Sequence, residues 1–342
     1  MPLTVRACVL LGAWWMLSPV APAAEPVPLI FDTDIGNDID DALALGVIHA
    51  LESRGECRLL AVTINKDEPL GAPFVDLVNT FYGRGDIPIG VVQGGKTPEP
   101  SRFVHQVAEA KDGDAVRYPR DLQSGRDAPE AVRLLRKTLA GQPDSSVVLV
   151  AVGFSTNLAR LLESPADEQC KLTGLELVAR KCRLLSMMAG NFRANDRRPE
   201  YNIVTDVPAA KTVFARWPTP MVASGFEIGE VVLFPGASVE ADFGYVKHHP
   251  LAEAYRAYAH MPYDRPTWDL TSVLYAVRPE RGYFGISEAG VIEVDDQGVT
   301  SFRRQSGGKH RYLTVDAPQI ERVREALVQL ASQPPVRSPD AR

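Results

Sequence analysis

The chain reads as an α/β protein built on a doubly wound, mainly parallel sheet flanked by helices. Three features point that way. Short apolar runs of strand length alternate with helix-length segments from residue 27 to about residue 223, the βα rhythm of such sheets. Several of those runs, Val27–Phe31 and Ser146–Val152 among them, are apolar enough to be buried strands. Directly after the first of them, positions 32 to 41 hold five aspartates. That places an acidic cluster at the carboxyl end of a strand, where open α/β sheets hold their ligands.

In chain order, the strand Val27–Phe31 is followed by a helix from Asp40 to about Arg54, whose start Ala42-Leu43-Ala44-Leu45-Gly46-Val47-Ile48 is apolar. A strand over Arg58–Ile64, a helix over Phe74–Tyr82 and a strand over Ile87–Val92 come next. Pro98 to Asp127 is polar and shows no periodicity. Ala128–Ala140 reads as a helix and Ser146–Val152 as a strand, and Thr156 opens another helix with Ser155 or Thr156 available as its cap. The alternation continues through Leu184–Met188, a helix after Asp206, and Pro220–Ala223. Asp206, just before Pro208, fits a helix cap better than a ligand. With no internal repeat and no linker, residues 25–332 are expected to form one domain, and residues 333–342, rich in Pro and Arg, a disordered tail.

The 342 residues are 45% apolar and 23% charged, ordinary for a globular chain with a sizeable core. Residues 1–24 read as a signal peptide. Arg6 gives a basic start, Ala7–Leu17 is apolar but too short to span a bilayer, and Ala21-Pro22-Ala23-Ala24 suits a signal peptidase. Cys8 lies too near the start to be a lipoprotein attachment site. The expected location is therefore outside the cytoplasm, in a bacterial periplasm. Without Arg6 the chain keeps 36 basic and 43 acidic side chains, a net charge near −7. That balance argues against a nucleic-acid partner and, once the leader is removed, against an anionic membrane. Cys57, Cys170 and Cys182 are odd in number, which argues against a disulfide framework though Cys170 and Cys182 are free to pair, and none has metal-site spacing.

The segment Asp32-Thr33-Asp34-Ile35-Gly36-Asn37-Asp38-Ile39-Asp40-Asp41 carries the chemistry. Five like charges that close repel, so the segment needs a cation or protonated carboxyls. Hard divalent ions such as Ca²⁺ take clustered carboxylate and carbonyl oxygens. An EF-hand loop counted from Asp32 would need a glutamate where Leu43 stands. A phosphatase using Asp32 and Asp34 normally has a hydroxyl or branched residue where Gly36 stands. Neither pattern accounts for Asp38, Asp40 and Asp41.

Asp32-Thr33-Asp34, Gly36 and Asp40-Asp41-Ala42-Leu43-Ala44 together resemble the amino-terminal signature of the nucleoside hydrolases, which cleave the N-glycosidic bond of ribonucleosides. The family commonly has three residues between the second aspartate and the pair; this chain has five. Three further segments are similar to the same family: Leu149–Ala159, Met187–Asp206 and Thr267–Ala276. The resemblance implies one Ca²⁺ held by Asp34, Asp41, Asp269 and the Val152 carbonyl, with Asp34 as general base toward a water. It puts Glu200 and Asn202 on the ribose hydroxyls, Met188 against the sugar face and Asp40 on a further hydroxyl, pointing away from Asp41. Asn65 or Asp67 is left open for another sugar contact, as are Asn191 and Asn195. Trp268 stands where broad-specificity members often carry histidine, and it implies stacking on a purine base, although core packing serves a tryptophan equally well. No histidine is available there for leaving-group activation, so Tyr263 and Asp264 enter as candidates to reach in. The implied partner is a small-molecule nucleoside, with a homo-oligomer left open. Two other readings stand beside this one: a secreted Ca²⁺-dependent protein that binds a ribosyl ligand without turnover, and an aspartate-nucleophile phosphatase.

Overall fold

The computed structural model describes residues 25–97 and 99–336. The expected signal peptide, and residues 337–342 of the expected tail, lie outside the described residues; residues 333–336 carry no regular secondary structure.

The first strand, β1 (Val27–Thr33), runs two residues past the apolar stretch, because Asp32 and Thr33 still pair with the neighbouring strand. It leads through the aspartate loop to α1 (Asp40–Ser53), β2 (Cys57–Lys66), α2 (Gly71–Phe81) and β3 (Ile89–Lys96). The expected β-α order then resumes with α3 (Ala131–Ala140), β4 (Val147–Ala151) and α4 (Thr156–Glu163). Next come α5 (Gly174–Lys181), β5 (Cys182–Met188), α6 (Val207–Arg216) and β6 (Met221–Ser224). Helix α7 (Trp268–Val277) packs beside α1 and β5. The chain closes with β7 (Gly290–Val294), β8 (Thr300–Arg304), β9 (His310–Thr314) and α8 (Ala317–Ala331).

The sheet order is β8-β7-β9-β6-β5-β4-β1-β2-β3. All pairings from β9 through β3 are parallel, and only those of β7 with β8 and β9 are antiparallel along this path. This confirms a mainly parallel sheet flanked by helices. Alternate residues of each strand point to opposite faces. Thus Phe31, Val148 and Val150 join the core under α1 and α2, while Ile30, Leu149 and Ala151 join the core under α4, α5 and α6.

Between Pro98 and Asp127 the structure finds a short helix, Val104–Ala108, and a small hairpin, Lys111–Asp112 with Ala115–Val116. Both are too short to imprint a period on the sequence. Ser155 precedes α4 without capping it through its side chain, and Thr156 donates instead to Asp206. Asp206 caps α6 as expected, accepting from the Ala209 N–H. Cys57, Cys170 and Cys182 are unbridged. No helix among the described residues is long and apolar enough to cross a membrane.

Candidate active site

Strand order 3-2-1-4-5-6 reverses direction at β1, whose two neighbours are β2 and β4. Crevices of open α/β sheets lie outside the carboxyl ends of the strands at such a point. Here Asp34 leaves β1 beside Val152, which follows β4, and the Val152 N–H donates to the Asp32 carbonyl at 2.8 Å. Gly36 takes φ +104° to turn the chain back toward α1, a conformation that disfavours a side chain. Gly153 has no room for one either, since a Cβ would meet Asn65 Oδ1 and the Asp34 nitrogen at 2.6 Å.

Asp32 is a scaffold rather than a reacting group. It is fully buried and accepts from Thr63 Oγ1 at 2.6 Å, Asn157 Nδ2 at 2.8 Å and Asn65 Nδ2 at 2.8 Å. These bonds tie β1 to β2 and to α4. Burial raises its pKa to about 6 despite all three donors. A phosphatase built on Asp32 and Asp34 therefore lacks an accessible first aspartate.

Asp40, Asp41 and Asp269 form the acidic cluster, with one oxygen of each lying within 4.8 Å of the others. Asp40 was expected to point away from Asp41, but it turns into the same cluster, because its carboxylate accepts the Asp269 N–H at 3.1 Å. Asp41 accepts from Thr33 Oγ1. Two helix N-termini, those of α1 and α7, meet at this spot, and their dipoles favour negative charge. That does not offset burial and mutual repulsion, which push all three carboxyls well above their usual range. Asp34 is buried beside them, and burial lifts it to about 6. Its carboxylate accepts from Asn37 Nδ2, while Asn37 Oδ1 accepts from the buried Lys66 ammonium. Among the described residues none of the four carboxylates forms an ion pair with a basic side chain. Crowded, unpaired carboxylates beside a main-chain carbonyl form an all-oxygen donor set, which suits a hard cation.

Asp34, Asp40, Asp41 and Asp269 face a cavity of about 260 Å³, together with Val152, Met188, Glu200 and Asn202. Asn202 Nδ2 donates to the Val152 carbonyl at 2.9 Å and the Met188 carbonyl at 3.3 Å, leaving its Oδ1 without a protein partner among the described residues. Glu200 caps the short helix Tyr201–Thr205, accepting N–H groups of Gly190, Asn202 and Ile203, and burial pushes it up to about 7. The rest of the wall is aromatic and cationic: Tyr201, Phe226, Tyr258, Trp268, Arg102 and Arg265. Trp268 stacks on Phe226 at 5.4 Å and donates Nε1 to the Phe226 carbonyl at 2.8 Å.

The sequence model of the inosine-uridine preferring nucleoside hydrolases matches residues 29–325. The chain belongs to that family. It is 31% identical over 224 residues to the pyrimidine-specific ribonucleoside hydrolase RihA of Enterobacter sp. (strain 638), covering 63% of this chain and 64% of that relative's length. Among solved structures, the plant nucleoside hydrolase PpNRh1 superposes with TM-score 0.65 at 24% identity, over 90% of this chain and all of that one. A purine-preferring ribonucleoside hydrolase from Gardnerella vaginalis gives TM-score 0.65 at 18% identity, over 89% and 99%. At these identities the two structures speak for the fold.

Within this nucleoside hydrolase fold, six residues read from the sequence lie outside the cavity. Asn65 is fully buried with both ends of its amide committed, to Asp32 and to the Phe154 N–H. Asp67 is exposed and faces a separate cavity of about 520 Å³ along β3. Asn191 turns back on Arg193 and Thr300, and Asn195 is an exposed turn residue at φ +63°. Tyr263 stacks on Tyr255, and Asp264 accepts the Gly236 N–H, so neither reaches in. No described histidine lines the cavity; His249 is buried among Phe81, Phe243 and Tyr245. The residues that sequence reasoning missed are Arg102, Tyr201, Phe226, Tyr258 and Arg265. Tyr201 sits between Glu200 and Asn202 in a segment read only for its neighbours, and the other four sit in no motif.

Proposed function

We propose that the protein hydrolyses the N-glycosidic bond of ribonucleosides to ribose and free base with one bound Ca²⁺, and that it favours purines. The observation that carries this reading is the convergence of Asp34, Asp40, Asp41, Asp269 and the Val152 carbonyl on one cavity that also presents Glu200 and Asn202. Asp34, Asp41, Asp269 and the Val152 carbonyl would hold the ion, with Asp40 within the same cluster. When bound, Ca²⁺ supplies a fixed positive charge that orients ribose hydroxyls and acidifies a water.

The side chains do the rest. Asp34, which lines the cavity beside the ion's place, takes a proton from the water that attacks C1′. Asn37 fixes its carboxylate from one side. Asn202 Oδ1 and Glu200 hold sugar hydroxyls, and Met188 packs against the sugar. C1′–N cleavage passes through an oxocarbenium-like state. Buried carboxylates stabilise that positive charge more than they stabilise the neutral nucleoside, which is what accelerates the step.

Trp268 supports the purine preference, because its partly buried ring lines the cavity and offers a larger contact to a bicyclic base. The RihA relative is named for pyrimidines, so the comparison must be made on this protein. Purified protein incubated with a ribonucleoside panel, with free ribose assayed, separates an enzyme from a ribosyl-binding protein. Inosine should be turned over faster than uridine, and Trp268→Ala should cut kcat/KM more for inosine. Equal losses would make Trp268 core packing. We further read residues 1–24 as a leader removed on secretion to a bacterial periplasm and 25–332 as one catalytic domain; amino-terminal sequencing of the mature protein tests the first.

A further inference from the structure

One wall of the cavity is a continuous stack of rings and guanidinium groups. Phe226 lies against Trp268 at 5.4 Å, Arg265 lies 5.4 Å from the Trp268 ring and 5.0 Å from the Tyr258 ring, and Arg102 lies 5.3 Å from Tyr258. Arg265 is the inner cation, the one that touches Trp268. Its position is set by Asp38, which accepts Arg265 Nε at 2.9 Å and also its Nη2. Asp38 belongs to the stretch that makes the aspartate loop longer than the family pattern. Arg265 Nη1 has no protein acceptor among the described residues, and the side chain borders the cavity.

Resting on the hydrolase reading, the geometry points to Arg265 as the catalytic residue that stabilises the departing base, with Asp38 as its positioning residue. When the C1′–N bond breaks, its electron pair goes to the base nitrogen. The water oxygen bonds to C1′, and one water proton goes to Asp34. The base leaves as an anion, with charge spread over its ring nitrogens and carbonyl oxygens. Arginine does not give up a proton, so its part is to donate a hydrogen bond from Nη1 to the anion. Such a charge-assisted bond is roughly twice as strong as a neutral one. The base then takes its proton from solvent, to which Asp34 returns the one it received. Pairing with Asp38 offsets the cation's charge but leaves the Nη1 donor, and it fixes the guanidinium plane between two aromatic faces. An arginine in this place fills the role left open by the absence of a histidine in the cavity.

The test compares substrates whose leaving groups need help with one that does not. Kinetics on inosine, uridine and p-nitrophenyl β-D-ribofuranoside would be measured for wild type, Arg265→Met and Asp38→Asn. Arg265→Met should lower kcat on both nucleosides by about 100-fold or more, the scale of losing one preorganised donor. Its loss on the nitrophenyl riboside should be at least about tenfold smaller, because that leaving group is already a stable anion. Asp38→Asn should show the same differential, reduced, with its effect in kcat more than in KM. Equal losses on all three substrates would assign Arg265 to packing and overturn the inference. A wild type that cleaves the nitrophenyl riboside but neither nucleoside would also overturn it, whereas one that cleaves none of the three would overturn the hydrolase reading beneath it. If Arg265→Met does not fold, Arg265→Lys carries the test, since an ammonium keeps the charge but not the fork that Asp38 holds.

Discussion

Binding of Ca²⁺ should expel protons, and the amount follows from the cluster. Two carboxylates 4.8 Å apart repel by roughly 3 kcal/mol at an effective dielectric constant of about 20. Burial and this repulsion hold all three carboxyls well above their usual range. Asp40, Asp41 and Asp269 together make three such pairs, so near neutral pH the metal-free cluster retains about one proton or more. Ligation requires the carboxylates, so the ion must displace what they hold. Titration calorimetry at pH 7 in buffers of different ionisation enthalpy should show about one proton released per ion, the release falling as pH rises and the cluster ionises on its own. Stability follows with a definite sign. Asp34 has a folded pKa of about 6 against an unfolded value near 4. Its protonation therefore contributes stability that is full below about pH 4 and is lost as pH rises through about 6. Metal-free protein should melt lower at pH 7.5 than at pH 5, and saturating Ca²⁺ should reverse that order. Asp269→Asn removes two of the three repulsions. It should raise the metal-free melting temperature at pH 7.5 while weakening Ca²⁺ by more than the roughly 10- to 100-fold that a lost outer partner costs. Heats independent of buffer, or an Asp269→Asn variant no more stable than wild type without metal, would refute the account of crowding.

Two further outcomes are expected. Asp34→Asn should keep the fold, because an amide oxygen still accepts from Asn37, and should lower kcat by about 100-fold or more, the usual worth of a general base; retention of a tenth of wild-type turnover would remove Asp34 from that role. Asp32→Ala leaves three buried donors without an acceptor at roughly 1–3 kcal/mol each. Relief of a carboxyl lifted to about 6 returns roughly 3 kcal/mol, so at the middle of that range urea unfolding should show a net loss of about 3 kcal/mol. No loss would mean that Asp32 is not the scaffold described.

Most strands and helices through β6 were legible because they bury apolar runs, and errors at their ends are four residues or fewer, the largest at the end of β3, which runs on to Lys96. Helix α5 went unread because it is short and mostly polar, yet Thr173 and Glu176 form a capping box that announces its start. Strands β7, β8 and β9 lie beyond the βα rhythm, and β8 and β9 have few apolar residues, as an edge of the sheet partly open to solvent allows. Helix α8 likewise carried a start signal, Asp316 with Pro318 and Gln319.

The sequence alone determined the mainly parallel sheet and the acidic segment at the end of β1, because periodicity and like-charge crowding are local properties of the chain. It also placed Glu200, Asn202 and Asp269, each inside a short recognisable motif. Only the tertiary structure decided which polar groups face the cavity and which are consumed in holding it. Asn65 and Asp32 sit at strand ends like Asp34, but the parallel registry of β1, β2 and β4 turns them toward each other and leaves Asp34 facing outward. Only the fold could bring Asp38 to Arg265 across 227 positions, because that contact depends on two loops meeting over the sheet's switch point and leaves no periodic trace in either segment.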